Sequence, residues 1–313
     1  MRIVFCGNFQ VPFSSESHHA KTLEKLGHTV IRLQEADVPG QVILDWAKTA
    51  DLYVHIHTHC WDTPGLPLSE VLKELKNLNI PTVTYHLDLW FGLARQKDLE
   101  EDDFYKHIGH FFSVDRQMAD WFNANTEVKG HYLQAGVLED EAIMLPPNIE
   151  PLNDLVFVGS YGYHPEWPWR HQLIDHLHEK YGERFKQYGN GGLGTLRGLP
   201  LNQVYSNTKI AVGDSLCPGF DYVDYTTDRP YETTGRGGFL LMPEIAGLEK
   251  QFEYGKEIAT FKFQDFDGLD AQIEYYLTHD EEREAIRKAG FERTKNNYTY
   301  DKRWTTILTE VGL

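Results

Sequence analysis

Asp224–Glu249 reads DYTTDRPYETTGRGGFLLMPEIAGLE, and the fold turns on how this stretch is read. Two acidic residues, Asp224 and Glu232, stand with seven residues between them. Two arginines (Arg229, Arg236), a glycine cluster (Gly235, Gly237, Gly238), an apolar strand from Phe239 to Met242 and a later Glu249 complete it. A ligand with a ribose and two phosphates calls for such parts. Carboxylates accept from ribose hydroxyls, arginines offer phosphate a fork of N–H donors, and glycines let backbone amides approach an anion. The same residues also read as a helix, a turn and a buried strand whose charges are solvated.

Working outward, strand and helix patterns alternate on both sides. In the first half, RIVFCG (Arg2–Gly7), HTVIRL (His28–Leu33), Asp51–His57, PTVTYH (Pro81–His86) and His110–Val114 read as strands. Between them lie helical patterns at Ser17–Leu26, closed by Gly27, at Val42–Lys48, at Leu68–Leu78 with its leucines on one face, and at Asp115–Asn123. LPPNIEPLND (Leu145–Asp154) has three prolines and no period, which marks a domain boundary. The alternation then restarts with DLVFVGS (Asp154–Ser160), the helix Trp169–Lys180, and the strands Arg184–Gly189, KIAVG (Lys209–Gly213), Gly238–Met242 and Ile258–Phe263. Helices at Leu201–Ser206, Leu269–Leu277, Asp280–Ala289 and Asp301–Val311 complete the chain. The expected fold class is α/β, with two Rossmann-like domains in tandem, ligand-facing loops at the carboxyl ends of their strands and a cleft between them.

Composition narrows the function. The chain has 313 residues, 41% of them hydrophobic, and no apolar run long enough for a membrane helix. With no signal-peptide pattern at MRIVFCGNF, a cytoplasmic location is expected. Cys6, Cys60 and Cys217 are too few and too scattered for a disulfide frame. A net charge of −17, with no lysine or arginine run, speaks against a duplex nucleic-acid surface.

Each motif carries two readings. GNGGLG (Gly189–Gly194) spells a dinucleotide loop, but TLRGLP follows and Pro200 delays the next helix, so a glycine loop near a base or sugar is the better reading. His55, His57 and His59 share one strand face without a partner ligand motif, and the expectation is no metal. The loop SSESHH (Ser14–His19) follows the first strand, which makes His18 and His19 candidate bases, while serine there is equally a helix cap. His86 and Asp88 end the fourth strand, either facing a sugar or packed and capping. VGS (Val158–Ser160) followed by Arg170 suits phosphate, and HPEWPWR adds His164 and aromatics at Tyr163, Trp167 and Trp169, which also read as a self-packed loop.

In order, VGS with a following Arg, YG…LRG, LNQVYSNTKIAVGDS, DRPYETTGRGGFLL and GLE resemble the carboxyl half of GT-B glycosyltransferases. The resemblance is to the family-4-like, spore-maturation-type branch. It implies an acceptor-side domain 1–148, a nucleotide-sugar-binding domain 149–299, and a last helix, 300–313, crossing back to the first. It implies hexosyl transfer from a nucleoside diphosphate sugar, with UDP as the expected carrier, no metal and no other cofactor, and a tilt towards retention. Carried over by motif, Glu232 holds the donor ribose, and Asp224 stands where the family has its first glutamate, a departure. Arg229, Arg236 and Arg170 neutralise the diphosphate, aided by Ser160, Gly235 and Gly237, and Arg197 lies near the base. His86, Asp88, His18 and His19 line the acceptor and sugar side. The acceptor stays open among a saccharide, a protein or a small molecule, with modified nucleic acid less favoured by charge. The rivals are a sugar-nucleotide epimerase, a phage-type transferase acting on a modified DNA base, and a non-catalytic binder.

Overall fold

The computed structural model describes residues 1–57, 60–146, 153–162, 164–219 and 221–313. The expected domain division between Asn148 and Ile149 lies outside the described residues, as do His59 and Tyr163. The chain forms two compact units, Met1–Gln134 with Tyr300–Leu313, and Ala135–Thr299.

The first unit runs β1 (Arg2–Gly7), α1 (Ser15–Lys25), β2 (Thr29–Gln34), α2 (Gly40–Ala47), β3 (Leu52–His55), α3 (Leu68–Asn77) and β4 (Thr82–His86). It continues with α4 (Gln96–Glu101), α5 (Phe104–His107), β5 (His110–Ser113), α6 (Arg116–Asn125) and β6 (Lys129–Tyr132). Its six strands are parallel in the order β2-β1-β3-β4-β5-β6. β3 and β4 are buried along their length and β1 from Ile3 onward, as in a parallel sheet covered on both faces. α1 starts two residues earlier than expected. Ser14, not Ser17, is the cap, its side chain accepting from the Ser17 amide, while Gly27 closes the helix at φ 91° as foreseen. β6 is a partly exposed edge strand whose KGHY carries no alternation, which is why pattern reading passed over it.

The second unit runs β7 (Asn153–Val158), α7 (Trp169–Tyr181), β8 (Phe185–Tyr188), α8 (Leu199–Ser206), β9 (Thr208–Val212) and α9 (Arg229–Gly235). Then come β10 (Leu240–Pro243), β11 (Ala259–Phe261), α10 (Phe266–Thr278) and α11 (Asp280–Asn297). Its parallel sheet has the order β11-β10-β9-β7-β8. α12 (Tyr300–Val311) returns to the first unit, where Trp304 is fully buried and its indole N–H donates to His19 Nδ1 at 3.1 Å. Among the described residues no helix is long and apolar enough to cross a membrane, and all three cysteines are free.

α11 runs well past Ala289, where the sequence suggested an end. Gly290 is the reason for both facts. Glycine reads as a stop, yet here it lets the helix approach the Glu257 carbonyl, which a Cβ would meet at 2.2 Å. An exposed Gly→Ala change in a helix gains about 1 kcal/mol. Gly290→Ala is expected to reverse that sign and cost about 1–3 kcal/mol through overpacking. Thermal unfolding checks it, and an unchanged or raised Tm would show that the helix shifts freely.

Candidate active site

β7 and β9 are neighbours, while α7 leads away from β7 to β8 on its other side. This is a topological switch point, where doubly wound sheets open a crevice beyond the strand ends. Gly159-Ser160 follow β7 there, and Gly213-Asp214 follow β9. Asp214 is wholly buried. Arg170, from the first turn of α7, donates through Nε to Asp214 Oδ2 at 2.8 Å, and Trp167 Nε1 reaches the same oxygen at 3.3 Å. Arg229, first residue of α9, places Nε 3.5 Å from Asp214 Oδ1 and donates through Nη1 to the Val158 carbonyl. Both guanidiniums lie over the Phe157 ring, at 4.9 Å for Arg229 and 5.8 Å for Arg170. Gly213 is glycine because a Cβ would stand 2.9 Å from Arg229 Cδ. Two arginines thus share one carboxylate beside a glycine turn, which suits a doubly charged anion.

α9 also carries Glu232, one turn beyond Arg229. Its carboxylate oxygen accepts from Arg236 Nε at 2.6 Å, an i,i+4 pair, and its side chain keeps 19% exposure. Burial, the largest influence, pushes the Glu232 carboxyl up, and Arg236 opposes it. Arg236 itself is buried on all sides. It donates to Glu141, to Asn202 Oδ1 at 2.7 Å and weakly to the Gly198 carbonyl, so its donors go to positioning Glu232. Gly235 and Gly237 serve close packing. A Cβ on Gly235 would meet Val137 at 2.7 Å, and one on Gly237, at φ 79°, would meet Met144 at 2.8 Å.

Asp224 sits in the left-handed region at φ 61°, and its carboxylate is held by Lys250 Nζ at 2.9 and 3.1 Å. Glu249 accepts from the Gly247 amide at 2.8 Å and acts as a local cap. GNGGLG closes on itself, with the Gly189 amide donating to the Gly194 carbonyl at 2.8 Å, and α8 begins only at Leu199, so no helix opens within it. Arg197 beyond it is exposed and donates to the Leu196 carbonyl.

In the first unit, His86 ends β4 with no exposure. It stacks on Phe111 at 4.9 Å and lies 3.4 Å from the Tyr105 hydroxyl. Burial, then the charges of His57 and Arg95, pull its pKa down to about 3, so it is neutral at physiological pH. Asp88 is half-buried, with Arg95 3.7 Å away. His19 is buried between Tyr300, Tyr85 and Trp304, and burial with the nearby His18 lowers it to about 3. His18, nearly buried, approaches Phe13 and Tyr300.

Three residues that carry this geometry escaped the sequence reading. Asp214 was visible in KIAVGDS, directly after a strand end, but was given no role. Glu141 and Asn202 had no local signal, since their link to Arg236 is made only by folding. A second network also went unread. Glu35, just beyond β2, and Asp102, after α4, flank His57 in the first unit. Burial alone would lower His57, but the Asp102 and Glu35 carboxylates raise it to about 9.

The sequence from 170 to 309 matches a protein-family model described as glycosyl transferase-like. No curated protein matches the chain by sequence. Solved structures resemble it along its length. A glycosyltransferase from Rickettsia africae ESF-5 gives a TM-score of 0.65 at 13% identity, over 99% of this chain and 98% of that one. HepE of Anabaena, in complex with UDP-glucose, gives 0.66 at 12% identity, over 99% of each chain. An alpha-glucosyltransferase in complex with UDP-glucose and DNA containing an abasic site gives 0.69 at 10% identity, over 100% of each. The fold is that of the GT-B glycosyltransferases, as expected, and glycosyltransferase is the enzyme class that the family model and these structures share. The spore-maturation branch is not singled out by them.

Proposed function

From a chain of GT-B fold whose residues 170–309 match a glycosyl transferase-like family, we propose that the second unit binds a UDP-sugar for transfer of its hexosyl group to an acceptor. The observation that carries the reading is the pair Arg170 and Arg229 on one buried carboxylate at the switch point of the second sheet. Breaking the glycosidic bond to a diphosphate builds negative charge on the leaving oxygens. Guanidiniums fixed beforehand stabilise that charge without reorganising. Ser160 borders the phosphates, Glu232 accepts from the ribose hydroxyls in an orientation set by Arg236, and Arg197 with the glycine loop lies towards the base. UDP as carrier is supported by the UDP-glucose complex of HepE, which shares the fold.

Neutralisation by arginines makes the transfer metal-independent in this reading. Retention follows if the leaving diphosphate takes the acceptor proton, with Asp88 and the neutral ring of His86 on the acceptor side of the first unit and His18 at its edge. His19, tied to Trp304, supports the returning helix. The net charge of −17 favours a saccharide or small-molecule acceptor over duplex DNA.

Turnover of UDP-, GDP- and dTDP-sugars, with and without acceptor, tests this. Transfer or hydrolysis supports it, an isomerised donor points to an epimerase, and binding without turnover to a passive binder. Glu232→Ala removes a charged hydrogen-bond acceptor for the ribose and is expected to weaken donor binding about 10- to 100-fold. Unchanged affinity by calorimetry would sink the ribose role.

A further inference from the structure

We propose that Glu35, His55 and His57 in the first unit form a binding site for a divalent transition-metal ion of the zinc type. Their ligating atoms, one from each residue, lie within 4.8 Å of one another, and all three residues are buried, at 2%, 0% and 2% exposure. Strand register brings them together. Gln34 on β2 lies opposite Gly7 of β1, and His55 on β3 opposite Cys6, so Glu35 and His57 emerge at one level on either side of β1. His55 and His57 are two apart in sequence and share a face.

The donor set gathers the atoms of a metal centre, one pair of them at ligand spacing. Three ligands at about 2.0–2.2 Å from a tetrahedral ion stand about 3.4 Å apart. His55 Nε2 lies 3.3 Å from Glu35 Oε1, at that spacing, whereas His57 Nδ1 contacts the same oxygen more closely, so an ion bound there must part this second pair by a small rotation of the carboxylate or ring. Each imidazole also has its far nitrogen held. The Tyr53 hydroxyl lies 2.9 Å from His55 Nδ1, and Asp102 Oδ2 lies 2.9 Å from His57 Nε2. Such outer partners fix ring orientation and raise basicity in histidine–metal sites. The other carboxylate oxygen, Glu35 Oε2, is buried with no hydrogen-bond partner among the described residues. A buried carboxylate oxygen left unsatisfied is costly, and an ion beside it accounts for it. Two imidazoles and one carboxylate favour zinc-type ions over magnesium or calcium, which prefer all-oxygen shells. Glu35, His55 and His57 belong to the first unit, whereas Arg170, Asp214 and Arg229 belong to the second.

Zinc chloride titrated into the metal-stripped full chain is expected to bind at about one equivalent with Kd below about 1 µM. Tyr53→Phe removes only the hydroxyl behind His55 and is expected to weaken zinc about tenfold. His55→Ala should abolish binding while circular dichroism stays native-like. Cobalt(II) bound to the wild-type chain should show ligand-field bands without a thiolate charge-transfer band. Absence of zinc binding, zinc affinity unchanged in Tyr53→Phe or in a folded His55→Ala, or a thiolate band, which would move the ion to Cys60 with His57 and Asp102, each overturns the assignment.

Discussion

Asp214→Ala is expected to lower the stability of the protein by about 3–5 kcal/mol, because it leaves one buried and one half-buried guanidinium without the carboxylate that holds them. Asp214 has no exposure, and Arg170, Arg229 and Trp167 all converge on it. A loss of that size lowers Tm by about 10 °C in a chain of this length. Asp214→Asn separates packing from charge. It keeps the shape and one accepting oxygen but releases the arginines from a fixed charge. With folding retained, kcat/KM for sugar transfer is expected to fall about 100-fold, the scale seen when one preorganised group for a developing anion is lost. Asn at full activity would show that the arginines need no anchor.

Arg236→Met is expected to cost about 3–5 kcal/mol as well, by a different route. Arg236 ties Glu232, Glu141 and Asn202 into one network at 1% exposure. Its loss sets the Glu141 and Glu232 carboxylates against one another with nothing between them. The sequence resemblance cast Arg236 as a diphosphate ligand. That role would cost donor affinity at little expense to folding, since a phosphate ligand faces outward. Urea unfolding beside UDP calorimetry separates the two. A large fall in the urea midpoint, with weaker donor binding following through Glu232, fits the positioning role. Native stability with lost binding fits the ligand role and would contradict a positioning role for Arg236.

These cases show what was legible. Apolar runs bounded by glycine turns marked most strands, and β7 and β9 with their VGS and VGD ends stood out in the sequence. Arg170, Arg229 and Glu232 were also singled out, because strand ends and first helical turns have local signatures. The missed elements lacked such signatures. β6 is a part-exposed edge strand, and Gly290 imitates a helix stop while serving close packing. The missed residues are long-range partners. Asn202 meets Arg236 across 34 positions, Glu141 across 95, and Asp102 meets His57 across 45. Nothing local records such links, and burial, which turns His86 and His19 into neutral packed rings, is likewise a property of the fold.

The most direct test of the central claim is calorimetric titration of UDP into the wild-type chain and Arg229→Ala, both with EDTA present. The Arg229 side chain meets Asp214, the Val158 carbonyl and the Phe157 ring and belongs to no strand, so its removal is expected to leave the strands of the sheet in place. Saturable UDP binding that survives EDTA in the wild type and weakens about 100-fold in Arg229→Ala is the expected result. Absence of UDP binding by the wild type, its loss in EDTA, or equal binding by Arg229→Ala would contradict the arginine-based donor site.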